Sequence, residues 1–140
     1  MERKFKLIFG IDISKLTLDV TYFFESSSRY FQITNDAKGI SQLVKTIKEL
    51  GIEEQEVLVC CENTGSYMEK LALVMKGLDV TFWVVHPIIM KGYRLDLQRT
   101  KNDKVDSMKI AEFALAHQHK ATSFHHPNQK TKELKELYLL

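Results

Sequence analysis

The hydrophobic period of this chain first changes between Ile33 and Ile40, and that change constrains the fold more than any other feature. Before it, Lys4 to Ile13 is a hydrophobic run with Phe5, Leu7, Ile8, Phe9 and Ile11, ending around Asp12. Leu16 to Phe24 and Arg29 to Ile33 are rich in β-branched and aromatic residues, and Ser26, Ser27 and Ser28 between them read as a hairpin turn. Three successive strands with short links imply an antiparallel meander. After the change, Ile40, Leu43, Val44, Ile47 and Leu50 mark one face of an amphipathic helix, with Gly51 as its C′ residue. Val57 to Cys61 is a short apolar run that suits a buried strand and ends at Glu62. A second helix follows, with Tyr67, Leu71, Val74 and Met75 on one side and Gly77 near its end. Val80 to Val85 is another buried strand, stopped by His86 and Pro87.

The order βββαβαβ predicts an α/β fold. Its mixed sheet has an antiparallel three-strand meander plus two parallel strands, flanked by helices. The first strand and Val57 to Cys61 are parallel neighbours in such a sheet, with their carboxyl ends side by side. Ile88 to Asn102 reads as a short helix and then a loop, and a long helix runs from Asp103 to about His117, with Val105, Met108, Ala111, Phe113 and Leu115 as its apolar positions. His117 to Pro127 is a polar connector. Lys130 to Leu140 has Leu134, Leu137 and Tyr138 at helical spacing and stops without a cap, so the sequence reads as a piece of a longer protein cut inside a helix.

Composition narrows the function classes. A chain of 140 residues suits one domain, and 44% hydrophobic with 27% charged residues is ordinary for a globular protein. The net charge of +2 argues against a protein that only clamps nucleic acid by bulk charge, so any basic surface is local. Cys60 and Cys61 are adjacent in an apolar run; neighbours on a strand point to opposite faces, which excludes a disulfide scaffold and favours a reducing compartment. No stretch approaches the ~20 apolar residues of a membrane helix, and a cytoplasmic protein is expected.

Four acids stand out by position. Asp12 ends the first strand and Glu62 ends the strand expected beside it; ligand sites on open α/β sheets lie at the carboxyl ends of strands. Asp103 and Asp106 share a face at the start of a helix, where acids also suit the dipole. Gathered carboxylates stay ionised only when cations offset their repulsion. Hard divalent cations with oxygen ligands do this, Mg2+ being the usual one and Mn2+ able to take its place. Two such ions ~4 Å apart stabilise the entering and leaving oxygens of a phosphoryl transfer, so the constellation points to phosphodiester chemistry. Taken singly, each acid equally resembles a turn former or a helix cap.

GIDISKLTLDV at Gly10 to Val20, CENTGSY at Cys61 to Tyr67 and RTKNDKVDSMKIA at Arg99 to Ala111 resemble the three acidic blocks of the DEDD-type insertion-sequence transposases related to the Piv/MooV invertases. Order and separation also match, and the resemblance runs from the first strand to the helix after Asp106. The basic residues before an Asp-x-x-Asp pair make the third block the most specific. Asn102 and Ser107 depart from the family pattern, which commonly has threonine and alanine there, and neither change touches an acid. The resemblance implies an RNase H-like fold of the RuvC type, with Asp12, Glu62, Asp103 and Asp106 as metal ligands for DNA strand cleavage and transfer during transposition. It also implies a guide RNA, a homo-oligomer in the full-length protein and a nucleoid-associated location in a prokaryote. On this reading residues 1–118 are the catalytic domain. Residues 119–140 are a connector and the start of a coiled-coil helix, leading to a C-terminal domain with a nucleophilic serine outside this sequence.

Lys91, Arg94, Arg99, Lys101 and Lys104, with Tyr93 interleaved, are nucleic-acid candidates, because cations neutralise phosphates and an aromatic ring stacks on an unpaired base. A solvated charged face explains most such runs equally well. Lys15, with Ser14, approaches a phosphate or simply closes the turn. Asn63 to Ser66 either cradle a phosphate or cap a helix. Asp19 reads as structural, Trp83 as core, and His117, His119, His125 and His126 as a polar loop lacking the spacing of a zinc site. Two other classes compete with the recombinase. An actin-like ATPase half-domain also opens with strand, aspartate and turn, but this chain lacks its glycine-rich phosphate loops. A non-catalytic nucleic-acid-binding or assembly module would fold and behave the same without any one of the four acids.

Overall fold

The computed structural model describes residues 4–97 and 103–125, with the side chains of 93–97 and 103–105 excepted. Five strands form one sheet: β1 (Leu7–Ile13), β2 (Thr17–Phe24), β3 (Ser27–Thr34), β4 (Val57–Glu62) and β5 (Thr81–Val85), in the order β3-β2-β1-β4-β5. β1, β2 and β3 pair antiparallel, while β4 pairs parallel with β1 and β5 parallel with β4. This is the mixed sheet expected from the order of elements. The hairpin turn is tighter than the serine run suggested: Phe24 pairs with Ser27, so Glu25 and Ser26 make the turn, and Glu25 takes the positive φ of 57°. Ser27 and Ser28 belong to β3.

Alternation along the strands assigns two faces. Leu7, Phe9, Ile11 and Ile13 of β1, with Val57, Val59 and Cys61 of β4, pack with Ile40, Leu43 and Ile47 of α1 (Ala37–Glu49) and Leu71 and Met75 of α2 (Glu69–Lys76). Ile8 of β1 and Leu58 and Cys60 of β4 pack on the other face with Met90 of α3 (Pro87–Leu97) and Ile110, Phe113 and Ala114 of α4 (Asp103–Ala116). Helices on both faces explain why β1 and β4 read as unbroken hydrophobic runs.

The helix ends follow the local chemistry. Asp36 caps α1 by accepting from the backbone N–H of Gly39 at 2.8 Å. That bond, then the Thr34 hydroxyl and more weakly Lys70, hold its carboxyl below its ordinary pKa. Gly51 follows α1 at φ 70°, the left-handed C′ conformation expected of it. The second helix starts later than the apolar spacing suggested. Gly65–Met68 is a 3-10 turn, α2 begins at Glu69, and Tyr67 stands exposed instead of on the buried side. Pro87 opens α3, where its missing N–H costs nothing.

α4 lies closer to the sheet than side chains allow. A Cβ on Gly10 of β1 would meet Ala111 N at 2.2 Å and Ser107 O at 2.6 Å, so only glycine lets the helix backbone sit there. Ser107, fully buried, hydrogen-bonds Thr21 of β2 at 2.7 Å, fixing the helix across β1 and β2. At the other end, buried Gln118 accepts from the backbone N–H of Lys4 and Phe5 at 2.7 and 3.1 Å and donates to Leu115 O. Residues 121–125 run along β5, with Phe124 N donating to Phe82 O at 2.6 Å. The C-terminal helix read over Lys130 to Leu140 lies outside the described residues.

Candidate active site

The contacts of α4 fix its direction. Ser107 and Ala111 sit at Gly10, Phe113 and Ala114 sit with Phe5 and Ile8, and Gln118 meets Lys4. The helix therefore runs antiparallel to β1, and its first turn lies toward the carboxyl end of that strand. From Ser107 back to Asp103 the helix rises ~6 Å, which matches the ~7 Å from Gly10 to Asp12 along the strand. The starting turn of α4 thus comes level with the end of β1.

The strand ends place carboxylates on the α4 face. Asp12 has the parity of Ile8 and Gly10, and Glu62 that of Leu58 and Cys60. Ile11 and Cys61 are the last registered pair of β1 and β4, so Asp12 and Glu62 follow one step beyond on adjacent parallel strands. On its other side Asp12 pairs directly with Asp19 of β2. Asp19, Asp12 and Glu62 therefore form a row across three neighbouring strands. Asp12 and Glu62 are half-buried, and Asp19 is buried at 2% exposure. Asp19 accepts from the Tyr30 hydroxyl at 2.6 Å and from Gln32 Nε2 at 3.0 Å, which fits the structural role read for it. Sequence reasoning placed it on the next strand but had no register with which to set it opposite Asp12.

The remaining acids come from α4. Asp106 is half-buried and precedes Ser107; Asp103 begins the helix, with its side chain outside the described residues. The donor set is all carboxylate oxygen, which suits a hard divalent cation. Among the described residues no three His, Cys, Asp or Glu side chains stand close enough together to hold a metal ion. The His117 ring packs on Phe113 at 4.7 Å.

The loops after β1 and β4 are closed by their own hydrogen bonds. Ser14 Oγ accepts from Thr17 N and bonds Thr17 Oγ1 at 2.8 Å, and Asn63 Oδ1 accepts from Gly65 N. Turn closure thus occupies Ser14. Thr64 gives α2 and its 3-10 turn no side-chain cap. Lys15 is exposed in the first loop and Lys91 on α3. The side chains of Tyr93, Arg94 and Lys104, and residues Arg99 and Lys101 entirely, lie outside the described residues. Cys60 and Cys61 are buried, and burial pushes both thiols well above their ordinary pKa, as expected of core residues.

Residues 9–139 match a DEDD transposase family of the IS110 type, described as Transposase. The chain is 29% identical over 109 residues to the pilin gene-inverting protein of Moraxella bovis, covering 77% of this chain and 34% of that protein. The corresponding protein of Moraxella lacunata matches equally, so the chain spans about a third of the length of these relatives. Among solved structures, Thermus thermophilus RuvC in complex with a Holliday junction substrate superposes with a TM-score of 0.56 at 12% identity, over 84% of this chain and 99% of that one. The T. thermophilus RuvC structure gives 0.54 with the same coverage. The fold is therefore RuvC-like, of the RNase H type.

Proposed function

This chain belongs to the IS110-type DEDD transposases, and from that premise we propose that it is the catalytic domain of a DNA transposase, cleaving and transferring DNA strands with divalent metal. The observation that carries the reading is the carboxylate row at the ends of β2, β1 and β4, facing the first turn of α4. Asp12, Glu62, Asp103 and Asp106 are the proposed ligands, with Mg2+ as the ion and Mn2+ able to replace it. Bound there, the cation offsets the carboxylate repulsion and supplies Lewis-acid stabilisation to a phosphodiester. Asp12 and Glu62 present oxygen from strands locked in register, so their separation is set by the sheet. Asp106 presents it from a helix whose position is fixed by Gly10 and by the Thr21–Ser107 bond. Phosphoryl transfer needs its ligands held within a small tolerance, and rigid supports of this kind suit that need.

DNA is the proposed substrate. Lys15 and Lys91, together with Tyr93, Arg94, Arg99, Lys101 and Lys104 before and within α4, are the proposed contacts to its backbone and bases. The family resemblance extends the proposal to a guide RNA, a homo-oligomer, and a cytoplasmic, nucleoid-associated protein. Among the described residues no helix is long and apolar enough to cross a membrane.

Calorimetric titration with Mg2+ and Mn2+ tests the site, using the chain beside Asp12→Asn and Asp106→Asn. Loss of binding in both folded variants is expected, because the two acids come from separate elements and would share one ion. Undiminished binding in either variant, or no binding by the unaltered chain with and without DNA, refutes the reading and returns the domain to a non-catalytic module.

A further inference from the structure

Among the described residues, five large hydrophobic side chains are exposed: Leu16 at 73%, Tyr67 at 46%, Leu73 at 60%, Ile88 at 74% and Ile89 at 57%. Four of them share one place in the fold. Leu16 follows β1, Tyr67 follows β4, and Ile88 and Ile89 follow β5, at the carboxyl ends of three adjacent parallel strands. Scattered exposed hydrophobes need no explanation, but a set collected at one end of a sheet marks a contact surface.

Two of the loops in this rim are bound to each other. Asn35, 6% exposed, donates through Nδ2 to Ser14 O and to Tyr67 O, both at 2.9 Å, and its backbone N donates to Leu16 O at 2.9 Å. One buried residue therefore ties the loop after Asp12 to the loop after Glu62. Asn35 Oδ1 and Thr64 Oγ1, in this loop cluster, are buried side-chain atoms with no hydrogen-bond partner among the described residues. Ordering loops so as to hold apolar side chains in water costs free energy, and functional sites are where such costs persist. The rim carries exposed cations as well as the carboxylates. Lys15 adjoins Leu16, Lys70 lies three residues beyond Tyr67, and Lys91 three beyond Ile88, all exposed. Exposed lysines set among aromatic and aliphatic groups fit a nucleic-acid strand, whose phosphates meet the cations and whose bases meet the rings. An apolar protein partner would leave those lysines to be desolvated.

Resting on the function proposed above, we propose that Tyr67 and Leu16 receive an unpaired base beside the carboxylates, so that the chain selects DNA opened at the reacting step over closed duplex. Tyr67 stacks on the face of the base, and Leu16 fills the gap it leaves in the stack. Ile88 and Ile89 extend the apolar rim along the strand. Asn35 is a positioning residue that sets the distance of this pair from the ends of β1 and β4.

Fluorescence anisotropy with two labelled DNAs of one sequence, a closed duplex and a duplex carrying two unpaired nucleotides, tests the proposal. The chain is expected to favour the opened DNA, and Tyr67→Ala to lose about tenfold in affinity for it, in line with one stacked base, while duplex binding is unchanged. Tyr67→Phe keeps the ring and is expected to keep the preference. Leu16→Ser is expected to weaken opened-DNA binding alone. Equal loss in Tyr67→Ala and Tyr67→Phe overturns stacking. So does a preference untouched by either, or self-association of the chain that Leu16→Ser abolishes, which would put a second copy on the rim. Mg2+ titration of the same samples separates the two levels. A chain that binds the ion through Asp12 but treats both DNAs alike refutes the stacking alone. A chain that binds neither the ion nor DNA refutes the proposed function as well.

Discussion

Gly10→Ala adds one methyl group at the contact that seats α4 on the sheet. The new Cβ would lie 2.2 Å from Ala111 N and 2.6 Å from both Ala111 Cα and Ser107 O, where ordinary contact begins at 3.4 Å. The offending atoms are backbone, so no rotamer relieves them, and the helix must lift by about 1.2 Å, the difference between 3.4 and 2.2 Å. Lifting it opens a gap under Ile110, Phe113 and Ala114, and gaps of ~0.5–1 Å already forfeit a quarter to a half of each contact's dispersion energy. Overpacking of this kind costs ~1–3 kcal/mol, occasionally more. Alanine in place of a strand glycine returns roughly 0.5–1 kcal/mol through lower unfolded-state entropy. The steric term wins, and a net loss of about 1 kcal/mol is expected. Urea denaturation followed by circular dichroism should show the midpoint falling by ~0.5 M, at a slope of ~2 kcal/mol/M. Ala111→Gly in the same chain should fail to restore it, because the clash is with the main chain. An unchanged or raised midpoint, or rescue by Ala111→Gly, would show that α4 does not pack on β1 at this point.

Gln118→Ala removes the acceptor for two backbone N–H groups and leaves that of buried Phe5 without a partner. Unsatisfied buried donors cost ~1–3 kcal/mol, so thermal unfolding should come several degrees earlier, and an unshifted midpoint would remove Gln118 from the fold's supports. Cys60 and Cys61 should resist a thiol reagent at pH 8 in the native chain and both react in denaturant. Both side chains are fully buried, and burial, with the Cys61 thiol beside Cys60 and the Glu62 carboxylate beside Cys61, disfavours their thiolates. Rapid native labelling of either would contradict the β4 packing.

The sheet was legible because its signals are local or periodic. Ile40 to Leu50 announces α1 through spacing alone, and β1 and β4 announce burial on both faces by their unbroken apolar runs. Asp12 and Glu62 were legible for the same reason: each ends such a run, and parallel neighbours must finish together. What stayed hidden depends on distant partners. Gly10 sits within its apolar run with no local cause; its reason, Ala111, lies about a hundred residues on. Asp19 and Tyr67 also needed the fold, the first for a strand register and the second for a 3-10 turn that rotates its side chain off the apolar face of α2. Ser26 was read as part of the turn, but Glu25 was passed over because it is neither the glycine nor the asparagine that a tight hairpin usually shows.

The carboxylate row also predicts how stability and metal are linked. Like charges directly opposite on one sheet face are destabilising, and here Asp12 faces Asp19 on one strand and adjoins Glu62 on the other. Donors from Tyr30 and Gln32 offset the burial of Asp19 but add no positive charge. On the proposed function the bound cation supplies that charge, so Mg2+ should stabilise the chain as any native-state ligand does, by ~2.7 kcal/mol at a hundredfold excess over Kd. Asp19→Asn keeps an oxygen for both donors and removes one negative charge beside Asp12. The metal-free variant should therefore melt at or above the temperature of the unaltered chain. It should also gain less from Mg2+, since less repulsion remains for the ion to relieve. Differential scanning calorimetry at several Mg2+ concentrations measures both effects. A metal-free variant that melts well below the unaltered chain would show that the Asp19 charge supports the fold. An unaltered chain indifferent to Mg2+ would mean that the row is stable without a cation, and the electrostatic argument for the site would fail with it.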